Sequence, residues 1–225
     1  MLQQRLCRMT LLNRIVTWRL AALCIWTLAW GSPVLAQSAE PPQPSDSTST
    51  GKQVFHFLTG AAIAFGAHET GHVIADLAYG EKPGLKKVDF HGLPFFAITH
   101  RSGRAANEEF VISSAGFWVQ HSVNEILLSK RPQLKSEQAP FTKGVFAFNV
   151  LASVAYSGAA LARTGPDERD TRGMAVSSRL DERWIGALVL TPALLDAWRY
   201  YHPGAKWAAW SSRGVKIGMV VMVAR

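Results

Sequence analysis

Apolar residues are concentrated in four long segments that alternate with polar and charged stretches. A helix needs about 20 predominantly apolar residues to cross a bilayer, so the first three segments are long enough to span it and the fourth is marginal. The apolar tail after residue 214 would lie at the interface or form an imperfect fifth span. We therefore predict a mainly α-helical, polytopic membrane bundle of about four spans. The segments are Val54–Tyr79, Phe110–Leu128, Phe141–Leu161 and Trp184–Trp198, the last extending to Tyr201.

Small residues recur within the first and third segments, as at Gly60, Gly66, Gly71 and Gly158. Helices in lipid approach one another closely at small residues. In a helix exposed to water, so many glycines would be destabilising. This pattern favours a membrane bundle over the alternative, a soluble bundle with long core helices.

The stretch between the first two segments has the pattern of a β-hairpin. Apolar and polar residues alternate across Val88–His91, and Gly92-Leu93-Pro94 supplies a turn. We expect a short hairpin over Leu85–Thr99 at the membrane surface. The basic residues of this loop and those of the loop at 130–135 predict opposite orientations of the chain in the membrane under the positive-inside rule. The sequence therefore does not decide which loops face the cytoplasm.

The N-terminus has the features of an export signal. A basic stretch ends at Arg19, an apolar stretch follows over Leu20–Trp30, and Val34-Leu35-Ala36 offers a cleavage site. We interpret residues 1–36 as a signal peptide or, alternatively, an uncleaved signal anchor. Residues 37–53, rich in Pro, Ser and Thr, are expected to be a disordered linker before a membrane domain over residues 54–225.

Charge and cysteine content narrow the possible chemistry. The formal net charge is +8, and residues 1–36 contribute four arginines and no acid, which leaves 8 − 4 = +4. This balance is typical of basic loops beside a membrane and does not indicate nucleic-acid binding. Both cysteines, Cys7 and Cys24, lie in the signal segment. A metal site in the mature chain must therefore use histidine and carboxylate ligands.

The run His68-Glu69-Thr70-Gly71-His72 carries the clearest chemical signal. Residues four apart lie on one face of a helix, so both imidazoles can take adjacent corners of a tetrahedral zinc site. Glu69 projects to the side, where its carboxylate can take a proton from the attacking water. The motif lies within an apolar segment, where ionisable residues are expensive and usually functional.

A catalytic zinc site needs a third protein ligand. Asp76 lies about 12 Å from His68 along the helix axis, too far to share a metal with both histidines. Asp196 is the better candidate, because an isolated acid deep in an apolar segment needs a partner, and Pro192 opens the helix just before it. The alternative is an Asp196 at a helix end that pairs with Arg199.

Taken together, these motifs make the chain resemble the site-2 protease family of intramembrane zinc metalloproteases. The matching elements run in order from His68–His72 through Gly80 and Ser114-Ala115-Gly116 to Leu195–Arg199. The resemblance implies that Glu69 is the catalytic acid–base residue and that His68, His72 and Asp196 bind Zn²⁺. The chain departs from the family pattern in its second segment, where the usual Asn and Pro are missing. We expect Gln120, Asn124 or Asn149 to supply an oxyanion donor or support a ligand instead.

The function predicted from these residues is hydrolysis of a peptide bond in or near a transmembrane segment. The substrate would be a membrane protein or signal peptide, and the protein would reside in the lipid bilayer of a bacterial inner (cytoplasmic) membrane. One alternative is a non-catalytic membrane adaptor that retains the protease fold. Another is a metal-handling membrane protein that uses His56 together with the motif histidines and Asp196.

Overall fold

The computed structural model describes residues 49–90, 93–101 and 103–223. The expected signal segment and residues 37–48 of the expected linker lie outside this part of the chain. Within the described residues the chain forms six α-helices and one β-hairpin, which confirms the mainly α-helical class. The first helix begins at Thr50, so residues 50–53 of the expected linker are helical. The elements are α1 (Thr50–Ala78), β1 (Gly84–Phe90), β2 (Leu93–Thr99), α2 (Ala106–Lys130), α3 (Pro140–Ala162), α4 (Asp170–Ser178), α5 (Glu182–Tyr201) and α6 (Lys206–Val223).

Helix α1 packs against both α2 and α3, and glycines lie at the crossings. Gly60 of α1 faces the backbone of α3, and Gly144 of α3 faces the backbone of α1. A side chain at Gly71 would stand 2.9 Å from the carbonyl oxygen of Ala115 on α2. These contacts confirm close helix packing at Gly60 and Gly71, whereas Gly66 lies beside open space.

The short helix α4 was not expected, because the sequence analysis found no apolar segment between α3 and α5. It packs mainly against α2 and also contacts α5. One cluster of buried apolar side chains joins α2, α4 and α5. Its buried members are Phe110, Phe117, Met174, Ala175, Ile185 and Val189.

The structure confirms the expected hairpin. Strands β1 and β2 pair in antiparallel register, from Gly84 opposite Thr99 to Val88 opposite Phe95. The hairpin contacts α1 through β2, where the Phe96 ring packs edge-on against Phe65 with 5.5 Å between ring centroids. This contact places the strands beside the helix that carries the histidine motif.

Among the described helices, α3 is the one long and apolar enough to cross a membrane. Only 28% of its most apolar 18-residue window is buried inside the protein, so most of this helix faces outward. The other three expected spans, in α1, α2 and α5, are not apolar enough to meet the same criterion of length and apolar composition. Buried polar and charged residues interrupt each of these helices. The arrangement of about four spans therefore stays a prediction.

Candidate metal centre

Helix α1 presents His68 and His72 side by side on its buried face. Only 2% of His68 and 5% of His72 is exposed, and their Nε2 atoms lie 3.3 Å apart. Gly116 of α2 makes room for this pair, since a side chain there would stand 2.5 Å from Nε2 of His68. The helical spacing of the motif therefore gives the geometry that the sequence analysis expected.

The third ligand atom comes from Asp170, the first residue of α4. Its Oδ2 atom lies 3.1 Å from Nε2 of His68 and 3.4 Å from Nε2 of His72. In a tetrahedral site with ligands about 2.0–2.1 Å from the metal, neighbouring ligand atoms are about 3.3–3.4 Å apart. The three measured edges match this spacing, and the group can hold a metal ion.

Two ion pairs fix the segment that delivers Asp170. Arg169 binds both carboxylate oxygens of Glu182 at 2.7 Å, and this bidentate pair holds the start of α4 against α5. Lys86 of β1 pairs with Glu168 at 2.5 Å and so ties the hairpin to the same segment. These ion pairs connect the segment that carries Asp170 to α5 and to the hairpin.

Charge at Asp170 suits metal binding. Burial raises the pKa of this carboxyl, but the imidazoles of His72 and His68 outweigh burial and hold the pKa well below its ordinary value. The group is therefore an ionised carboxylate at neutral pH. Its place in the first turn of α4 adds the favourable interaction of an anion with a helix N-terminus.

Among the three ligands, His72 has a defined hydrogen-bond partner outside the group. Nδ1 of His72 lies 2.7 Å from the carbonyl oxygen of Ile112, and a carbonyl can only accept, so Nδ1 carries the proton. With this Nδ1 proton in place, the lone pair that a metal would use is on Nε2, the atom that faces the ligand group. The side chain of Tyr156 interacts electrostatically with Asp170, and its ring stacks on His68 with 5.8 Å between centroids.

A cavity of about 260 Å³ opens beside two of the three ligands, His72 and Asp170. Glu69 also lines it, and Tyr156 contributes from α3. The remaining wall is mainly apolar and comes from the hairpin, α3 and the loop before α4. Those residues include Val88, Phe96, Ala97, Ile98, Ala155, Ala159 and Pro166. Glu69, whose carboxylate is not one of the three ligands, therefore lines a cavity large enough for a side chain and a length of backbone.

The structure places Asp196 away from this centre, so the choice of Asp196 as third ligand is corrected to Asp170. Asp196 is fully buried between α5 and α6, where Lys216 lies 2.8 Å from its Oδ2 atom. Ser212 donates to Oδ1 at 2.7 Å and Arg199 at 3.2 Å, as the alternative interpretation expected for Arg199. Its charge is balanced by Lys216 and Arg199, which also pair with the buried Glu125, and Asp196 is not in the His68, His72 and Asp170 group.

The three amides expected near the scissile bond are buried, but none is among the described residues that line the cavity. Asn149 donates to Asn124 at 2.9 Å, which occupies both side chains. Gln120 is 1% exposed, and neither its amide oxygen nor its amide nitrogen has a partner in the described chain. Asp76 contacts His100 at 3.2 Å and lies outside the ligand group, as expected from its distance along the helix.

Asp170 and Tyr156 were missed by the sequence analysis. Asp170 lies in a stretch, 163–183, that holds five arginines and five acids, so its composition does not set it apart. Pro166 and the acid at 170 do indicate a helix start, which would have predicted α4 but not a ligand. Tyr156 occupies an apolar helix in which one tyrosine carries no chemical signal.

The chain matches none of the protein-family models, curated proteins or solved structures with which it was compared.

Proposed function

We propose that this protein is an intramembrane zinc metallopeptidase that hydrolyses a peptide bond in or near a transmembrane segment. The observation that carries the proposal is the spacing of the His68, His72 and Asp170 ligand atoms, 3.1, 3.3 and 3.4 Å apart, with Glu69 on the wall of the adjoining cavity. Two imidazoles and one carboxylate are a ligand set that zinc uses in catalytic sites. The three protein ligands leave the fourth tetrahedral corner for chemistry.

Zinc bound there would polarise a carbonyl and bring the pKa of a bound water towards neutrality. Glu69 takes the proton of the attacking water on its carboxylate as the water oxygen bonds to the scissile carbonyl carbon. The same carboxylic acid then gives the proton to the departing amine nitrogen as the C–N bond breaks. The His72 proton stays on Nδ1, held by the Ile112 carbonyl, so this imidazole keeps one orientation throughout.

The cavity favours an extended, apolar substrate. Its hairpin wall offers Val88 and the run Phe96–Ile98, and its helix wall offers the small side chains of Ala155 and Ala159. An extended peptide beside a two-stranded hairpin can add backbone hydrogen bonds along a free strand edge. A transmembrane or signal-peptide segment, unwound locally at the hairpin, has both the apolar side chains and the free backbone groups that this requires.

Exposed apolar side chains support a location in the bilayer. Large apolar and aromatic residues on α1, α3, α5 and α6 are more than half exposed, which is unusual over so much of a soluble surface. The tryptophans near the ends of α5 and at the start of α6 suit the membrane–water interface. Examples are Phe55 at 67%, Leu58 at 59%, Leu151 at 66%, Trp184 at 71%, Trp207 at 58% and Trp210 at 70% exposed.

The resemblance to site-2 proteases supports the same proposal through the histidine motif and the hairpin that follows it. The third ligand is where the two differ. The resemblance implied Asp196 on α5, whereas the ligand group contains Asp170 on α4. We therefore propose a metallopeptidase of site-2 protease type whose third ligand comes from a short helix.

The test uses Glu69→Gln with Glu137→Gln as a matched control, because Glu137 is a surface carboxylate paired with Arg131. Each protein is reconstituted with a panel of labelled single-span segments and signal peptides. Wild type and the control should cleave the same segment, and Glu69→Gln should retain zinc while its rate falls by about 10²–10⁴.

Cleavage by Glu69→Gln at the wild-type rate would refute the mechanism. A wild-type protein that binds zinc and the segments but cleaves none would instead favour the non-catalytic adaptor.

A further inference from the structure

We propose that Gln120 is the positioning residue for His68, and that its side-chain oxygen accepts a hydrogen bond from Nδ1 of His68 when Nε2 binds the metal. The inference rests on the proposed metal site and assigns a role to a buried side-chain amide that has no partner among the described residues. It would give each of the two ligand imidazoles an acceptor for its Nδ1 proton.

His68 is the ligand whose outer atom lacks a partner. Nδ1 of His72 is held by the Ile112 carbonyl, but Nδ1 of His68 is buried without any partner in the described chain. A metal on Nε2 requires the lone pair there, so the proton must sit on Nδ1. A buried donor without an acceptor is unfavourable, and a ligand imidazole ordinarily donates to one.

Gln120 lies on the same face of α2 as the glycine that meets His68. The His68 ring sits against Gly116 of α2, and Gln120 follows Gly116 by one helical turn. Helix side chains lean towards the N-terminus, so we infer that the Gln120 side chain extends back over the turn that holds Gly116. Both its amide oxygen and its amide nitrogen are buried without a partner in the described part of the chain. We infer that a rotation about the side-chain torsions brings the amide oxygen to the ring.

The other polar residues nearby fit less well. His121 also has two ring nitrogens without a partner among the described residues, and both Lys216 and His68 act on it electrostatically. It lies one position after Gln120 and so points about 100° further round α2, away from the row that contains Gly116. Asn124 and Asn149 are hydrogen-bonded to each other. Gln120 is therefore the acceptor of choice on the face of α2 that meets His68.

Substitutions of Gln120 test the inference, because they can remove the hydrogen-bond acceptor while the size and shape of the side chain are kept. Gln120→Met keeps length and flexibility but removes the acceptor. Gln120→Glu keeps an acceptor and strengthens it by charge. The zinc dissociation constant of each purified protein is measured by competition with a chromophoric chelator in detergent, and thermal unfolding of the zinc-free proteins checks that they fold alike.

We expect Gln120→Met to bind zinc about 10–100-fold more weakly than wild type, and Gln120→Glu to bind at least as tightly as wild type. His121→Met, the control on the neighbouring face, should leave zinc affinity unchanged. Equal affinity in Gln120→Met and wild type would overturn the inference, as would equal weakening by Met and Glu. A wild-type protein that binds no zinc would refute the metal site itself, which is a different result.

Discussion

The Gly116→Ala substitution is the most direct probe of how α2 shapes the ligand group. The added methyl would stand 2.5 Å from Nε2 and 2.6 Å from Nδ1 of His68, whereas ordinary contacts begin at 3.4 Å. The ring must therefore retreat by about 1 Å, because the alternative is a shift of the whole α2 backbone. Metal–ligand distances tolerate only about 0.2 Å, so we expect zinc affinity to fall at least 10-fold.

Gly158→Ala on α3 is the matched control, since a methyl there meets nothing within 4 Å. In both positions alanine favours the helix by about 0.5–1 kcal/mol over glycine. Overpacking at Gly116 costs about 1–3 kcal/mol on top of that gain. Chelator competition and thermal unfolding in detergent should show that Gly116→Ala is weaker in zinc binding and less stable than Gly158→Ala. Wild-type zinc affinity in Gly116→Ala would refute the described packing of His68 against α2.

Three further predictions test other contacts. Tyr156→Phe keeps the ring but removes the hydroxyl that interacts with Asp170. If this hydroxyl positions Asp170, zinc affinity measured by chelator competition should fall about 10-fold; an unchanged affinity would contradict this role. Lys216→Met removes a cation that lies between two buried carboxylates, and chemical denaturation should show a loss of about 3–5 kcal/mol. A loss below 1 kcal/mol would contradict the described network. The hydrogen bond between His100 and Glu109, 2.8 Å long, raises the pKa of His100 above 6.5 and lowers that of Glu109 below 4.5. The contribution of His100 to stability is lost as pH rises through its raised pKa, and that of Glu109 is lost as pH falls through its lowered pKa. The free energy of unfolding, measured against pH, should therefore be highest between pH 4.5 and 6.5. In His100→Gln this pH dependence should be weaker. An equal pH dependence in the variant would contradict it.

Local patterns were sufficient for the long helices, the hairpin and two of the three ligands. Helical spacing alone brings His68 and His72 together, and strand alternation predicts the hairpin, although Leu93 and Pro94 of the expected turn belong to β2. Both depend only on residues close in sequence, which is why the structure agrees with them. The small-residue pattern predicted close helix packing at Gly60 and Gly71, which the structure shows, but also at Gly66 and Gly158, which lie beside open space.

The third ligand depends on long-range packing that no local pattern contains. Asp196 stood out because an acid in an apolar segment needs a partner, and this reasoning was sound, but the partner is Lys216 of α6. Asp170 lies in a polar stretch and was not predicted as a ligand. In the folded chain it lies next to His68, about 100 residues away in sequence. Which of two acids meets the histidines is decided by where α4 packs, and that is tertiary information.

The central claim is that His68, His72 and Asp170 form a zinc site. The most direct measurement is the zinc content per chain, by elemental analysis of detergent-purified wild type, His68→Ala, Asp170→Asn and Asp196→Asn. The account predicts about one zinc in wild type and in Asp196→Asn, and little or none in the other two. Zinc retained in Asp170→Asn but lost in Asp196→Asn would contradict the account and restore the α5 carboxylate as the third ligand.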